Sequence, residues 1–144
     1  MSNPLGKIKS HFFPRMNSAS LATALLTVVN TSEFHATSTY AWTSDKPPAP
    51  FLTGEGLPGQ VAKNKTIMNI EHIPENYIIV SGLGSGYPKN LLIVPLLLNK
   101  ETIGVIELAS FKKFDDQTEW TIKNLAKIIA NSIVTKLRTF RGKK

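Results

Sequence analysis

The 144-residue chain contains no cysteine, and that absence removes more chemistry than any other feature of its composition. Disulfide frameworks, thiolate zinc sites, cysteine nucleophiles and thioether-linked chromophores are all excluded. Histidine is scarce as well. His11, His35 and His72 are the only imidazoles, no two stand at metal-ligand spacing, and no metal site is expected. Long hydrophobic runs are also missing. The longest, Leu91 to Leu98, is eight residues and contains Pro95, far short of the roughly 20 that a membrane-crossing helix needs. The first residues, Met-Ser-Asn-Pro-Leu-Gly-Lys, lack the apolar core of a signal peptide. A cytoplasmic protein with no membrane partner is the expectation.

Carboxylates are outnumbered, with 10 Asp and Glu against 17 Lys and Arg, a net charge of +7. Part of the excess lies in Lys136, Arg138, Arg141, Lys143 and Lys144. Cations near a helix C-terminus are favoured by the helix dipole. No interleaved aromatic platform accompanies them, so a nucleic-acid partner is not expected.

A hydrophobic content of 42% with 19% charged residues is that of an ordinary globular domain, and the length suits one. Residues 1–20 read as a lead-in with a short helix over 4–13. Asn3-Pro4 supplies its start, and Leu5, Ile8 and Phe12 fall on one face before Pro14 ends it. Residues 21–111 read as a sheet core. Within it, Leu21–Val29 and Phe34–Trp42 pair as a hairpin, with Phe34, Ala36, Ser38, Tyr40 and Trp42 on one face. Lys46 to Pro50 is a loop, Gln60–Asn64 a short helix and Thr66–Ile70 a short strand. Residues 70–90 are irregular, with Pro74, Gly82, Gly84, Gly86 and Pro88. Asn90–Leu98 and Thr102–Phe111 form a second hairpin, apolar enough to need cover on both faces.

The final helix, 115–140, starts at Asp115 or Asp116, with Glu119 placed for a capping box. Ile122, Leu125, Ile129, Ile133, Leu137 and Phe140 form a stripe for the sheet. Trp120, Ile128 and Val134 lie off that stripe and predict either a dimer interface with an identical chain or cover by the other short helix or a loop. The fold class expected is α+β, a single domain with a central antiparallel sheet of about five to six strands.

Gly54-Glu55-Gly56-Leu57-Pro58-Gly59 is a literal G-x-G-x-x-G. A dinucleotide-binding loop needs a full crossover helix after it, and the next strand begins too soon for one. A structural turn is the better reading. Ser81-Gly82-Leu83-Gly84-Ser85-Gly86-Tyr87 fits neither a nucleophile elbow nor a P-loop, and could fold as a lid. Glu107, inside the run Gly104 to Ala109, must find a partner or line a wet pocket. Ser81, Ser85, His72 and Glu107 are the only candidates for catalysis and form no pairing of base with nucleophile. No enzyme is expected.

In combination these motifs resemble a known family. Phe51-Leu52-Thr53-Gly54-Glu55-Gly56-Leu57-Pro58-Gly59-Gln60-Val61-Ala62 is similar to the GEGLxGQxA signature of GAF domains. Asn69 to Tyr77, Ser81-Gly82-Leu83-Gly84 followed by Pro88 and Leu91 to Leu96, and Val105 to Phe111 resemble that family's later segments. The resemblance is densest from Phe34 to Ile133 and is strongest to GAF domains of bacterial sensor histidine kinases and related signalling proteins. It implies terminal helices on one face of the sheet and a ligand cavity on the other.

Carried onto this sequence, the cavity would be lined by Tyr40, Trp42, Pro74, Tyr77, Ser81, Leu83, Tyr87, Leu92, Val94, Ile106 and Leu108. The Asn-Lys-Phe-Asp-Glu pattern of cyclic-nucleotide-binding members and the cysteines of bilin-binding and sulfoxide-reducing members are absent. The resemblance therefore implies a non-catalytic sensor with no cofactor, an unidentified small-molecule ligand and an effector such as a histidine kinase. A ligand-free module used only for dimerisation or docking is the alternative.

Overall fold

The computed structural model describes residues 21–40, 45, 47–73 and 88–142. These form one six-stranded antiparallel sheet and two helices. The strands are β1 (Leu21–Asn30), β2 (Glu33–Tyr40), β3 (Phe51–Leu52), β4 (Met68–Ile70), β5 (Asn90–Leu98) and β6 (Glu101–Ser110). Helix α1 is Gly56–Asn64 and helix α2 is Asp116–Gly142. The sheet order is β3-β2-β1-β6-β5-β4, so the two longest hairpins sit in the middle and the edges are only two and three residues long. Short edges limit unwanted strand pairing. The fold is the α+β arrangement that the sequence predicts, with six strands. The expected N-terminal helix lies outside the described residues.

The tight turns of both hairpins use left-handed residues, Thr31 between β1 and β2 and two residues between β5 and β6. Asn99 and Lys100 have φ of 50° and 67°, the geometry that matches the twist of the flanking strands. The turn is thus one residue shorter than Asn99-Lys100-Glu101, and Glu101 already belongs to β6. Gly104 marks the closest approach inside the sheet. A Cβ there would lie 2.5 Å from the Thr27 carbonyl oxygen and 2.8 Å from Leu96 Cδ1.

The helices cover opposite faces of the β5–β6 ribbon and define two cores. Against α2 lie Ala24, Leu26, Leu92, Val94, Leu96, Ile106 and Leu108, packed on Ile122, Leu125, Ala126 and Ala130. Against α1 lie Phe34, Phe51, Leu91, Ile93, Val105 and Ala109, packed on Val61 and Ala62. Phe34 and Phe51 stack with ring centroids 5.0 Å apart, within the range of attractive aromatic pairs.

The expectation that Phe34 and Tyr40 share a face is corrected. Leu26 pairs with Ser38 but Thr27 pairs with Ala36, which leaves Thr37 as an extra residue in β2. A bulge of this kind reverses the alternation beyond it. Phe34 therefore packs in the α1-side core and Tyr40 against the α2-side core. The Thr37 hydroxyl donates to the Leu26 carbonyl at 3.2 Å and anchors the bulge.

Helix α1 starts at Gly56, four residues before the expected Gln60, because Pro58 and Gly59 fit a first turn. Proline is tolerated there, where its missing N–H has no partner to lose. The two-residue β3 strand just before it was not anticipated. At α2, Asp115 supplies the cap, its Oδ1 accepting from the Thr118 N–H at 2.7 Å. The expected Glu119 capping box does not form. Glu119 instead accepts from Asn69 Nδ2 at 3.4 Å.

Candidate functional site

The glycine run that opens α1 is used for packing. Gly54 N–H donates to the Gly59 carbonyl at 2.7 Å, and Glu55 N–H to the Leu52 carbonyl at 3.0 Å. The Glu55 carboxylate turns back to accept from the Leu52 N–H at 2.9 Å, so its charge occupies the place a phosphate would need. A Cβ on Gly59 would sit 2.6 Å from the Leu52 carbonyl oxygen. The turn is structural, as the sequence suggests.

On the α1 face of the sheet, Ile93, Glu107 and Leu25 form one cross-strand row. Glu107 is only 5% exposed and is the one charged group in the buried set of the described residues. Thr27 is buried on the same face and donates to the Val105 carbonyl at 3.2 Å. Thr102 donates to the Ala62 carbonyl at 2.7 Å and fixes the C-terminal end of α1 to β6. This face therefore has an apolar wall with a few placed polar groups, the make-up of small-molecule sites.

Five of the residues expected to line a cavity lie elsewhere. Leu92, Val94, Ile106 and Leu108 belong to the α2-side core, and Tyr40 packs against that core. They cannot also line the opposite face. In strands buried on both sides, apolar character does not reveal which alternate set faces which helix. The α1-face set is Leu91, Ile93, Val105, Glu107 and Ala109. Trp42, Pro74, Tyr77, Ser81, Leu83, Ser85 and Tyr87 lie outside the described residues, as does His11.

His72 is exposed, and His35 is partly exposed with its ring nitrogen 3.1 Å from Glu33 Oε2. No cluster of three or more potential metal ligands occurs among the described residues.

Asn90 is a site residue of a different kind, which the sequence reading passed over as the start of a strand. It is 1% exposed. Its Nδ2 donates to Asn69 Oδ1 at 2.5 Å and to the Ile70 carbonyl at 2.8 Å, and its Oδ1 accepts from Phe114 N–H at 2.7 Å. One amide thus joins β4, β5 and the entry to α2. A polar residue at the head of an apolar strand is the signal that could have found it.

A second concavity lies on the α2 side. It is a solvent-open groove of about 690 Å³ between the Lys65–Ile67 connection, the end of β5 and the first half of α2. Val94, Pro95, Leu97 and Ala126 contribute its apolar lining, and Lys65, Lys123, Lys127, Glu119, Asn124 and Trp120 its rim. Trp120 is 66% exposed and Ile128 56%, as expected for residues off the core stripe. They stand about 80° apart around the helix at 3.6 residues per turn, and only Trp120 lines the groove. The Val134 side chain lies outside the described residues.

The GAF domain family model matches residues 15–134. The chain belongs to the GAF family. Solved structures agree at the level of fold. The GAF domain of a phosphoenolpyruvate-protein phosphotransferase from Coxiella burnetii is similar at TM-score 0.69 and 19% identity, covering 84% of this chain and 76% of that one. The nlh2 GAF domain of A. aeolicus in an inactive state gives 0.64 and 20%, covering 93% and 81%. A type II free methionine-R-sulfoxide reductase from Thermoplasma acidophilum gives 0.66 and 18%, covering 88% of each chain. No curated protein matches the sequence.

The reductase corrects the expectation that this GAF domain is no enzyme. Its fold carries a catalyst in that relative, so the fold gives no ground for excluding catalysis. The missing cysteines exclude only thiol chemistry in this chain. Among the described residues no helix is long and apolar enough to cross a membrane.

Proposed function

We propose that this GAF domain is the small-molecule-sensing module of a cytoplasmic bacterial signalling protein, with its ligand held on the α1 face of the sheet. The observation that carries the reading is Glu107, a buried carboxylate set between Ile93 and Leu25 in a largely apolar face that also holds Thr27. A carboxylate in that setting can fix a ligand's donor groups while the surrounding aliphatic residues supply burial. Occupancy is relayed through the β5–β6 ribbon, whose other face packs directly on α2, toward an effector such as a histidine kinase.

A thermal-shift screen of small metabolites tests this. A ligand at about 100 times its dissociation constant stabilises the folded state by about 2.7 kcal/mol. The expected hit raises the melting temperature of the wild type, and Glu107→Gln reduces the shift. A screen in which no metabolite raises the melting temperature overturns the reading.

Ile128 favours a second reading, a module that also pairs with an identical chain. It is a large apolar side chain on the solvent side of α2, and Val134 extends the same expectation. Ile128→Glu with Val134→Glu then yields a folded monomer in sedimentation, and a wild type already monomeric removes the pairing.

A further inference from the structure

We infer that the α2-side groove is a docking surface for an acidic amphipathic segment of another polypeptide. This is a separate surface from the α1 face, and it does not depend on a ligand being bound there.

The groove has the two parts that such a segment needs. Pro95 and Leu97 contribute an apolar lining, and Trp120 stands beside them as the most exposed large hydrophobic residue among those described. Exposed tryptophans at a concave surface are the residue type most enriched among binding hot spots. Around them stand Lys65, Lys123 and Lys127, and among the described residues none of the three takes part in an ion pair. Lys123 and Lys127 are one helical turn apart on α2, so they project in the same direction along the groove. The single carboxylate on the rim, Glu119, already accepts from Asn69. Three lysines around an apolar strip call for a partner with carboxylates flanking apolar anchors.

Charge also decides against the occupants this chain could offer. Residues 1–32 contain Lys7, Lys9 and Arg15 and no carboxylate. Residues 120–144 contain no carboxylate either, and seven lysines and arginines. Either end of the chain would bring positive charge to positive charge in the groove. A second copy that brought residues 120–144 into the groove meets the same repulsion, and pairing through Ile128 would not fill it, since Ile128 does not line the groove. The shape argues against a small molecule, since ligand sites enclose most of their ligand and this groove is open along its length. An acidic segment supplied in trans satisfies both the charge and the shape.

The test uses the whole chain and a fluorescent peptide of about four helical turns, with Leu at i, i+3, i+4 and i+7 and Glu elsewhere. Binding in the micromolar range is expected, weakening as salt is raised. Trp120→Ala, and separately Lys123→Glu with Lys127→Glu, each reduce affinity about tenfold or more. Lys63→Glu with Lys112→Glu changes net charge equally on exposed residues outside the groove and leaves affinity within about twofold. Circular dichroism melts confirm that all variants are folded.

A peptide with Leu replaced by Ser binds at least about tenfold more weakly, since the apolar anchors are lost. Absence of peptide binding to the wild type, or equal losses in the groove and control variants, overturns the proposal. So does displacement of bound peptide by a short duplex RNA or by phosphatidylserine vesicles with the same sensitivity to the groove variants, because the surface would then serve a different polyanion.

Discussion

Leu92 and Ile93 are neighbours on β5 and both are 0% exposed, yet they belong to different cores. Leu92 faces α2, where the packed cluster is aliphatic and aromatic, the helix contributes four buried side chains, and the buried polar groups Asn90 and Ser110 are uncharged and sit at the strand ends. Ile93 faces α1, where a nine-residue helix covers less of the sheet and the row beside it contains Glu107 and, one pair along, Thr27. The α2 side is built for cohesion. The α1 side accepts a charge in its interior, which costs stability unless the group is satisfied. The proposed recognition falls to the face that buries a charge, and the cohesion of the long helix to the other.

The bulge at Thr37 lets Phe34 and Tyr40 face different cores at the β2 edge, and emptying the Phe34 position should have the largest effect. Phe34→Ala removes a side chain that is 2% exposed and stacks on Phe51, whereas deleting Thr37 joins Ala36 to Ser38 in strict register with Thr27 and Leu26 and leaves Phe34 and Tyr40 on their present faces. The expected loss for Phe34→Ala is about 3–5 kcal/mol, the cost of removing a buried aromatic side chain, measured by urea denaturation. Thr37→Ala keeps the extra residue and loses only the hydrogen bond to Leu26, about 1 kcal/mol. Deletion of Thr37 should cost little more than the alanine variant, and a loss as large as that of Phe34→Ala would mean that the register around the bulge does not set the faces.

Next in size is the pair Leu92→Ala and Ile93→Ala. Each removes a fully buried aliphatic side chain from the middle of the sheet and should cost about 2–5 kcal/mol in denaturant titrations. The two faces are expected to separate in a second measurement. A small molecule that stabilises the wild type should lose affinity in Ile93→Ala, which lies opposite Glu107, and keep it in Leu92→Ala. Equal ligand response in both variants would remove the division of labour proposed for the two faces.

The same pair explains what the sequence could and could not reveal. Both long hairpins, the stripe on α2 and the structural turn at Gly54–Gly59 are legible because alternation, helical spacing and glycine each leave a local mark. The side on which each residue of β5 and β6 lies is not. In a strand covered on both faces, Leu91, Leu92 and Ile93 look alike, and only the positions of the two helices distinguish them. The Thr37 bulge is equally silent, since an inserted threonine in a run of small polar residues breaks no visible pattern. Asn90 escapes for a related reason. Its value lies in three partners that are distant along the chain, and no spacing rule links position 90 to 69, 70 and 114.

The smallest effect belongs to the surface, where Lys113 Nζ lies 2.7 Å from Glu71 Oε1 and ties the end of β4 to the entry of α2. A hydrogen bond from Lys113, reinforced by its charge, holds the Glu71 carboxyl below its ordinary value of 4.5. The same bond raises Lys113 above its ordinary 10.5. The signs fix the window. A carboxyl with a lowered pKa stabilises the fold above its unfolded value and loses that contribution as pH falls through the lowered one. An ammonium with a raised pKa stabilises below its unfolded value and loses that as pH rises through the raised one. The pair therefore acts fully between about pH 4.5 and 10.5, as one interaction seen from two ends. Both groups are more than half exposed, so water and salt screen them heavily. Lys113→Met should leave the melting temperature slightly lower than wild type at neutral pH and low salt. The difference should vanish in strong acid and shrink as salt is added. A difference that persists unchanged in acid would mean that Lys113 acts through the packing of its stem over the β4–α2 junction, not through its charge.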